Sequence, residues 1–180
     1  MNIGEILLIG IALSMDAFAV SAVSGMSIKH IRPKEVLLLA VSFGGFQGLM
    51  PLLGFYAGNL FGVFISLWAP YIACALLTAV GGKMIYDSLN DNAEALAAIT
   101  LRLVLLQAIA TSIDALAVGI SFAAAGSINI WQAAGLIAAT TFVLTIIAVK
   151  FGQKLGLMLA EKAGILGGVI LIIIGLKMLF

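Results

Sequence analysis

The amino-acid sequence predicts an all-α integral membrane protein whose six transmembrane helices form two inverted three-helix repeats. Three observations support this fold class. Of the 180 residues, 63% are hydrophobic and only 9% are charged, and the mean hydropathy is +1.25. Apart from two aspartates, the charges lie in a few short segments, and the two halves of the chain repeat one another. A soluble domain of this size could not hide so much apolar surface, so lipid is the expected solvent.

The first half of the chain contains three predicted spans, since a transmembrane helix needs about 20 apolar residues. Residues 6–28 form the first span, which only Asp16 interrupts. Residues 36–82 contain no charge over 47 positions, which is enough for two helices joined by a turn near residues 59–70. No basic segment precedes the first span, so we interpret it as a retained helix rather than a signal peptide.

The second half repeats this pattern. Residues 103–125 form a fourth span with Asp114 inside it, residues 131–149 form a fifth, and residues 164–180 form a short sixth. The polar segment at 87–102 separates the halves. No stretch is left over for a soluble domain.

Of the nine basic residues, all but Lys177 belong to three of the five links between predicted spans. They flank the first, third and fifth links, whereas the second and fourth have none. Because basic residues favour the cytoplasmic side, we expect these three links to face inward and both termini to face outward. Lys83 and Lys177, near the ends of the third and sixth spans, are expected to anchor them at the interface without a further role. The basic residues of the links are Lys29, Arg32, Lys34, Lys83, Arg102, Lys150, Lys154 and Lys162.

An internal duplication relates the two halves. Residues 7–20 match residues 105–118 at nine of 14 positions with an offset of 98, and Asp16 aligns with Asp114. In the second and third helices the offset is 94, and it aligns Gly58 with Gly152. Matching aspartates are rare enough in apolar helices to indicate a true repeat.

The repeat predicts the organisation of the whole chain. Because each repeat contains an odd number of helices, the second must be inverted relative to the first, an architecture typical of transporters. We therefore expect a single transmembrane domain over residues 1–180, with repeat 1 at 1–90 and repeat 2 at 100–180. The substrate site of such a transporter lies near the midplane, where the repeats meet.

Asp16 and Asp114 lie in the middle of their predicted spans. An acidic residue there costs about 2.5–3.5 kcal/mol on insertion scales, so each must face the bundle interior and meet a partner. No lysine or arginine is predicted at their depth, and two carboxylates balance one divalent charge. A mobile divalent cation is therefore the expected counterion. In the alternative, each aspartate is protonated and holds helices together by hydrogen bonds.

The candidate metal site is rich in oxygen donors. The single histidine, His30, lies in a predicted loop, and Cys74 is the single cysteine, so softer ligands are scarce. Oxygen-rich sites suit Mg, Ca and Mn ions rather than Cu or structural Zn. The candidate metal ligands are Asp16, Asp114, Gln47, Ser14, Ser112 and Thr141.

The hydroxyl candidates depend on local helix geometry. Ser14 and Ser112 precede the aspartates by two residues, nearly on the opposite face of a regular helix, so they reach the ion only where the helix is unwound. Otherwise we expect them to bond to their own backbone. Gln47 lies one turn before Pro51, which kinks its helix, and Thr141 is the repeat equivalent of Gln47.

Four segments together resemble the MntP family of bacterial manganese exporters. They are SMDAFAVS at 14–21, TSIDALAVG at 111–119, FGGFQGLMPLLG at 43–54 and GGKMI at 81–85. The resemblance extends over nearly the whole chain. It implies a six-helix inner-membrane efflux pump with Asp16 and Asp114 as functional acidic residues, Mn2+ as transported substrate and no cofactor. Some members of that family have Glu where this chain has Gln47. The direction of transport comes from the resemblance alone.

The aspartate pair also predicts proton coupling. Two carboxylates facing one buried site cannot both ionise without a large cost, so the empty pair is expected to hold at least one proton. A divalent ion would displace that proton, which gives antiport. If water fills the empty site instead, the same residues would support potential-driven uniport.

Other functions are open at this stage. A LysE-like exporter of amino acids or of another divalent cation fits the same architecture. An intramembrane enzyme would use the aspartates as an acid–base dyad, but the chain has no recognisable nucleophile or cofactor motif, so we expect a transporter rather than an enzyme. A structural membrane subunit would leave them protonated. The formal net charge of +1 gives no indication of nucleic acid as a partner. The expected partners are a divalent metal ion, the lipid bilayer and protons, whereas the oligomeric state is not predicted.

Overall fold

The computed structural model describes residues 2–28, 31–89, 100–125, 129–158 and 163–177, and all regular structure in these segments is α-helical. The helices are α1 (Ile3–Ser27), α2 (Pro33–Leu89), α3 (Leu101–Thr111), α4 (Ile113–Ala125), α5 (Ile130–Met158) and α6 (Ala163–Lys177). Six helices were predicted, but the chain is divided differently. Predicted helices two and three fall within α2, and predicted helix four is split into α3 and α4.

Side-chain caps define where two of the helices begin. Asn2 and Glu5 form a reciprocal capping box at the start of α1, and the Thr100 hydroxyl accepts from the backbone N–H of Leu103 at the start of α3. Such caps satisfy backbone donors that lack a partner within the helix. Both caps precede the repeated segments that contain the aspartates, so the two aspartate-bearing regions start in a similar way.

The prediction of a turn at residues 59–70 is wrong, because helical backbone continues from Pro33 to Leu89. The helix axis nevertheless reverses. Leu171 of α6 belongs to the same hydrophobic cluster as Phe43, and its Cβ lies 3.1 Å from the position of a Cβ on Gly81. A straight helix would separate Phe43 from Gly81 by about 57 Å, so both cannot reach Leu171 unless α2 folds back between them. The change of direction is made within helical backbone rather than by a turn.

The fourth predicted span is broken at Ser112. The two helices on either side, Leu101–Thr111 and Ile113–Ala123, meet at an angle of 40°. Ser112 has φ −105° and ψ 2°, and its N–H donates to the carbonyl of Ile109, three residues back. The break lies two residues before Asp114, whereas α1 continues through the equivalent position, Ser14.

Two pairs of helices pack in parallel. In the first pair, α1 meets α5, and contacts advance together along both helices from Ser14 with Thr141 to Gly25 with Val149. In the second pair, the α2 glycines Gly54 and Gly58 meet Leu116 and Ile120 of α4. Each pair contains one of the aspartates.

Three helical segments are long and apolar enough to cross a membrane, and a fourth is added when the bent pair α3 and α4 is taken as one span. The three are Ile3–Ser27, Pro33–Gly58 and Ile130–Leu155. The described part of the sixth predicted span, α6, has 15 residues, which is shorter than a spanning helix usually requires. The protein is therefore a multi-pass membrane protein.

Candidate metal site

The two aspartates come from different helix pairs and lie within electrostatic range of one another. Asp16 lies near the middle of α1, and Asp114 is the second residue of α4. Both side chains are half-buried. The charge of Asp16 acts on Asp114 across the space between the helices. Like charges placed this way favour either a proton or a cation between them.

Asp114 lies at a helix N-terminus. Its Oδ1 accepts a hydrogen bond of 2.8 Å from the backbone N–H of Ala115, and it lies in the first turn of α4. The first backbone N–H groups of a helix have no partner within the helix and carry partial positive charge, so they stabilise an ionised carboxylate there. The break before α4 thus provides Asp114 with a favourable backbone environment.

Two adjacent hydroxyls account for the break. Ser112 Oγ donates to the Ala108 carbonyl at 2.5 Å, and Thr111 Oγ1 lies 3.3 Å from the same oxygen and 3.0 Å from the Gln107 carbonyl. In a regular helix the Ala108 carbonyl would accept from the N–H of Ser112. Because the hydroxyls compete for it, that N–H donates to Ile109 instead, at 3.1 Å. Ser and Thr side chains that bond to the preceding turn commonly bend helices in this way.

The helix around Ser14, in contrast, is continuous and contacts a neighbouring helix through side chains. Ser14 Oγ lies 2.6 Å from the Gly10 carbonyl oxygen and 2.7 Å from Thr141 Oγ1, which lies 2.9 Å from the Ile137 carbonyl oxygen. Because each hydroxyl has one proton, one of the two donates to the other, and the second donates to its own backbone. These contacts join α1 to α5. As expected for a regular helix, the Ser14 hydroxyl lies within hydrogen-bond distance of its own backbone, and so does that of Ser112.

Gln47 brings α2 against the turn that precedes Asp16. Its Nε2 donates to the Leu13 carbonyl at 2.9 Å, and the side chain is fully buried. Its Oε1 has no hydrogen-bond partner among the residues that the structure describes. Leu13 precedes Asp16 by less than one helical turn, so Gln47 contacts the turn of α1 that leads to Asp16. An acceptor oxygen held near a carboxylate, with its amide nitrogen already occupied, suits a cation.

The structure brings the candidates together unequally. Ser14 and Asp16 lie in the middle of α1, where Thr141 and Gln47 contact the helix. The charge of Asp16 also bears on Asp114. Ser112 bonds only to its own helix in the part of the chain described. Within the described segments, no three His, Cys, Asp or Glu side chains form a group that could hold a metal. A cation there would need amide, hydroxyl or carbonyl oxygens beside the two carboxylates.

Sequence reasoning missed Lys177. This residue ends α6 and its side chain is exposed, but its charge attracts Asp16. That no lysine or arginine lies at the depth of the aspartates stays a prediction, and Lys177 is a basic residue whose charge bears on Asp16. The short sixth predicted span was the sequence signal for this interaction. The end of a short helix lies nearer the middle of its neighbours than their own ends do, so a lysine at that end can act on a residue inside the bundle.

Comparisons with known proteins agree on one family. Residues 30–179 match the family model Mntp, described as "Putative manganese efflux pump". A protein of Ruminiclostridium cellulolyticum named "Putative manganese efflux pump MntP" is 43% identical over 98% of this chain and 95% of its own length. Proteins with the same name from Methanosarcina mazei (44% identical, 96% of this chain, 92% of that protein) and Clostridium perfringens (41%, 99% and 94%) are similar over their lengths. No solved structure matches the chain.

Proposed function

Because this chain belongs to the manganese efflux pump family, whose members are described as transporters rather than enzymes, we propose that it exports Mn2+ across the inner membrane as a secondary transporter. The transported ion binds between Asp16 and Asp114 near the midplane. Gln47 supplies a third oxygen, and the Ser14–Thr141 contact holds the neighbouring turns in place. Ser112 serves the same site by shaping the start of α4 rather than by touching the ion.

The unpartnered Oε1 of Gln47 is the observation that carries this proposal. A buried amide oxygen without a partner costs about 1–3 kcal/mol, and this one lies beside the turn that carries Asp16. A transported cation would provide the missing interaction in the loaded state. Manganese accepts such hard oxygen ligands. The two carboxylates would balance its charge.

We also propose that the two halves, repeat 1 at 1–90 and repeat 2 at 100–180, form an inverted repeat. The sequence alignment relates Ala22 to Ile120 and Gly58 to Gly152. A two-fold relation would therefore convert an α1–α5 contact into an α4–α2 contact. Gly152 lies against Ala22, and a Cβ on Gly58 would lie 3.4 Å from Ile120 Cα. This matched pair of contacts supports the inverted arrangement, with both termini outside and the basic links in the cytoplasm.

Proton coupling is proposed on the ground that the charge of one carboxylate bears on the other. The empty pair holds a proton on the return step, and Mn2+ displaces it on the outward step. Proteoliposomes containing a pH-sensitive dye test this at clamped membrane potential. Manganese flux should be accompanied by opposite proton movement, and flux without it would leave the metal site intact but exclude antiport.

The function itself is tested in cells that lack their own manganese exporter. Expression of this chain should restore growth in excess manganese and lower intracellular manganese, measured by mass spectrometry. Asp16→Asn and Asp114→Asn should each abolish protection while the protein is still inserted, because one carboxylate leaves a divalent ion under-neutralised. Glu5→Gln is the matched control, since it removes an exposed carboxylate from the same helix as Asp16 and Gln can preserve the cap.

The same cells separate the alternatives. Protection from calcium or cadmium, or export of a basic amino acid, without an effect on manganese would indicate a LysE-like exporter of another substrate. Full protection by both Asn variants would exclude the aspartate site.

A further inference from the structure

Ser21 and Thr145 differ from other hydroxyl residues on these helices. Many hydroxyls donate to the carbonyl one turn earlier, which satisfies them within their own helix. Ser21 and Thr145 are fully buried, yet their hydroxyl oxygens have no hydrogen-bond partner among the described residues. The residues that bond back in the usual way are Ser14, Ser24, Ser27, Thr111, Ser112, Ser121, Thr140 and Thr141.

These two residues lie in one seam between α1 and α5. The seam is bounded at one end by the contact of Ser14 with Thr141 and at the other by the contact of Gly25 with Val149. Ser21 follows Ser14 by two helical turns and precedes Gly25 by one, so it is on the same face. Thr145 lies one turn from both Thr141 and Val149. The helices are parallel, so both hydroxyls fall between the two bounding contacts.

The corresponding seam in the other half is closed. The repeat alignment relates Ser21 to Gly119 and Thr145 to Pro51. A Cβ on Gly119 would overlap the backbone of Pro51, so these helices touch directly and present no hydroxyl. The polar seam is therefore present on one side of the aspartates only. On α1 it lies toward Ile28, which leads into the basic link at residues 29–34.

The free-energy cost of unpartnered buried hydroxyls is a reason to expect a ligand in the seam between α1 and α5. Each buried hydroxyl without a partner destabilises the folded protein, and replacement by an apolar group would relieve that cost. Two such groups in one seam, next to a proposed ion site, would both be satisfied by a passing ion and its attached water. Hydroxyl oxygens are suitable ligands for hard divalent cations and suitable acceptors for their coordinated water.

We propose that Ser21 and Thr145 form a cytoplasmic-side subsite that receives the divalent cation, with part of its hydration shell, before it reaches Asp16 and Asp114. This inference rests on the proposed transport function. The subsite binds through neutral oxygens, so it holds the ion only briefly and passes it to the carboxylates. The closed Gly119–Pro51 contact keeps the equivalent outer position free of a second subsite.

The test uses inverted membrane vesicles, in which the cytoplasmic face is outside, and free Mn2+ as the probe. Ser21→Ala and Thr145→Val should each raise the KM for manganese uptake by about tenfold, as expected when one hydrogen bond to a charged group is lost, and the double variant should raise it further. Their thermal unfolding midpoints should equal or exceed that of the parent, because an unsatisfied polar group is removed. Thr145→Ser keeps a hydroxyl and should restore the parent KM.

Matched controls remove hydroxyls that already have partners. Ser24→Ala and Thr140→Val lie on the same two helices and donate to their own backbone, so their KM for manganese should be that of the parent. A double variant with the parent's KM and maximal rate would overturn the subsite, as would a rise in KM that the control variants share. If the parent vesicles take up manganese and Asp16→Asn vesicles do not, a failure of the subsite leaves the proposed function standing. Absence of uptake by the parent would instead reject the function.

Discussion

Asp16 and Asp114 occupy equivalent positions of the sequence repeat but have different backbone environments. Asp16 lies inside an unbroken helix of 25 residues, whereas Asp114 lies in the first turn of a helix that starts after a bend of 40°. The residue three positions before each aspartate differs, being Leu13 in one half and Thr111 in the other. Leu13 offers its carbonyl to Gln47, and Thr111 competes for carbonyls of its own helix.

This difference teaches that two copies of a duplicated helix that agree at nine of 14 positions can still place equivalent aspartates in different backbone environments. The first half provides a continuous helix tied to α2 and α5 by side-chain hydrogen bonds. The second half provides a break that exposes backbone N–H groups near a carboxylate. Discontinuous helices of this kind commonly line the substrate sites of transporters. The following predictions test whether the asymmetry lies in the backbone, in the side-chain contacts or in the surrounding charge.

The largest effect is expected at two glycines, one in each helix pair, that hold the aspartate helices against their partners but are not equivalent in the repeat. A Cβ on Gly152 would overlap Ala22 of α1, and a Cβ on Gly119 would overlap Pro51. Gly152→Ala and Gly119→Ala should each lower the free energy of unfolding by about 1–3 kcal/mol or more, since overpacking of this kind forces backbones apart. The amount of folded protein after detergent extraction measures the loss.

Gly45→Ala is the matched control, because nothing lies within 4 Å of the position that its Cβ would take. It should behave like the parent protein. Gly58→Ala substitutes the repeat equivalent of Gly152, and its Cβ would meet Ile120 at an ordinary 3.4 Å, so it should be mild. A severe loss of folded protein in Gly58→Ala would mean that the two equivalent contacts are packed alike, which would limit the asymmetry to the break.

The second effect concerns Gln47, which bonds to α1 and whose repeat equivalent, Thr141, also contacts α1. Gln47→Leu removes both the bond to Leu13 and the unpartnered Oε1. We expect the Kd for Mn2+ to rise about tenfold, the amount that one hydrogen bond or ligand contact of about 1.4 kcal/mol represents. Calorimetry on the purified protein measures it. Thr140→Val, which removes a half-buried hydroxyl from α5, is the control, and an unchanged Kd in Gln47→Leu would exclude the amide as a ligand.

Much of the helical framework could be predicted from charge-free runs. The first predicted span, 6–28, and the fifth, 131–149, fall on α1 and α5, which begin at Ile3 and Ile130. Ser14 bonds to its own backbone, as expected in a regular helix, and Ser112 does so at the break, while their assignment as metal ligands stays a prediction. These results depend on composition and on local spacing, which the sequence contains directly.

The reversal within α2 and the break at Ser112 could not be predicted with the same rules. The length of the charge-free run, 47 residues, indicated two helices joined by a turn at 59–70, but helical backbone continues through these residues. The break depends on competition between two hydroxyls for one carbonyl, and periodicity does not report such competition. The charge of Lys177 at Asp16 depends on where a short helix ends. The assignment of Asp16, Asp114, Gln47 and Thr141 to a metal stays a prediction.

The third effect tests the cause of the break. Thr111→Val keeps the shape of the side chain and removes the hydroxyl that competes for the Ala108 carbonyl. The N–H of Ser112 should then bond to that carbonyl more often, which straightens the helix before Asp114 and slows transport about threefold to tenfold, as expected for a change of about 1 kcal/mol. Hydrogen exchange at the amide of Ser112 should slow in parallel. Faster transport, or unchanged exchange at Ser112, would contradict this account of the break, and Thr140→Val serves as control because α5 is continuous there.

The smallest effect concerns the fixed charge near Asp16. Lys177 attracts Asp16 and, for the same reason, repels a cation that binds there. Because Lys177 is exposed, solvent screens its charge, and exposed pairs contribute only about 0.2–1 kcal/mol. Lys177→Met should therefore lower the Kd for Mn2+ by about two- to fivefold and slow its release, whereas Lys177→Arg keeps the charge and should leave the Kd unchanged.

Lys154→Met removes an exposed lysine from α5 and controls for a general change in surface charge. Calorimetry at low and at high salt separates the effect of the charge of Lys177 from any effect of its side-chain contacts, since a charge effect must shrink as salt increases. A weaker affinity in Lys177→Met would mean that the lysine positions Asp16 rather than opposing the ion, and the first half of the site would then depend on a side-chain contact that the second half lacks.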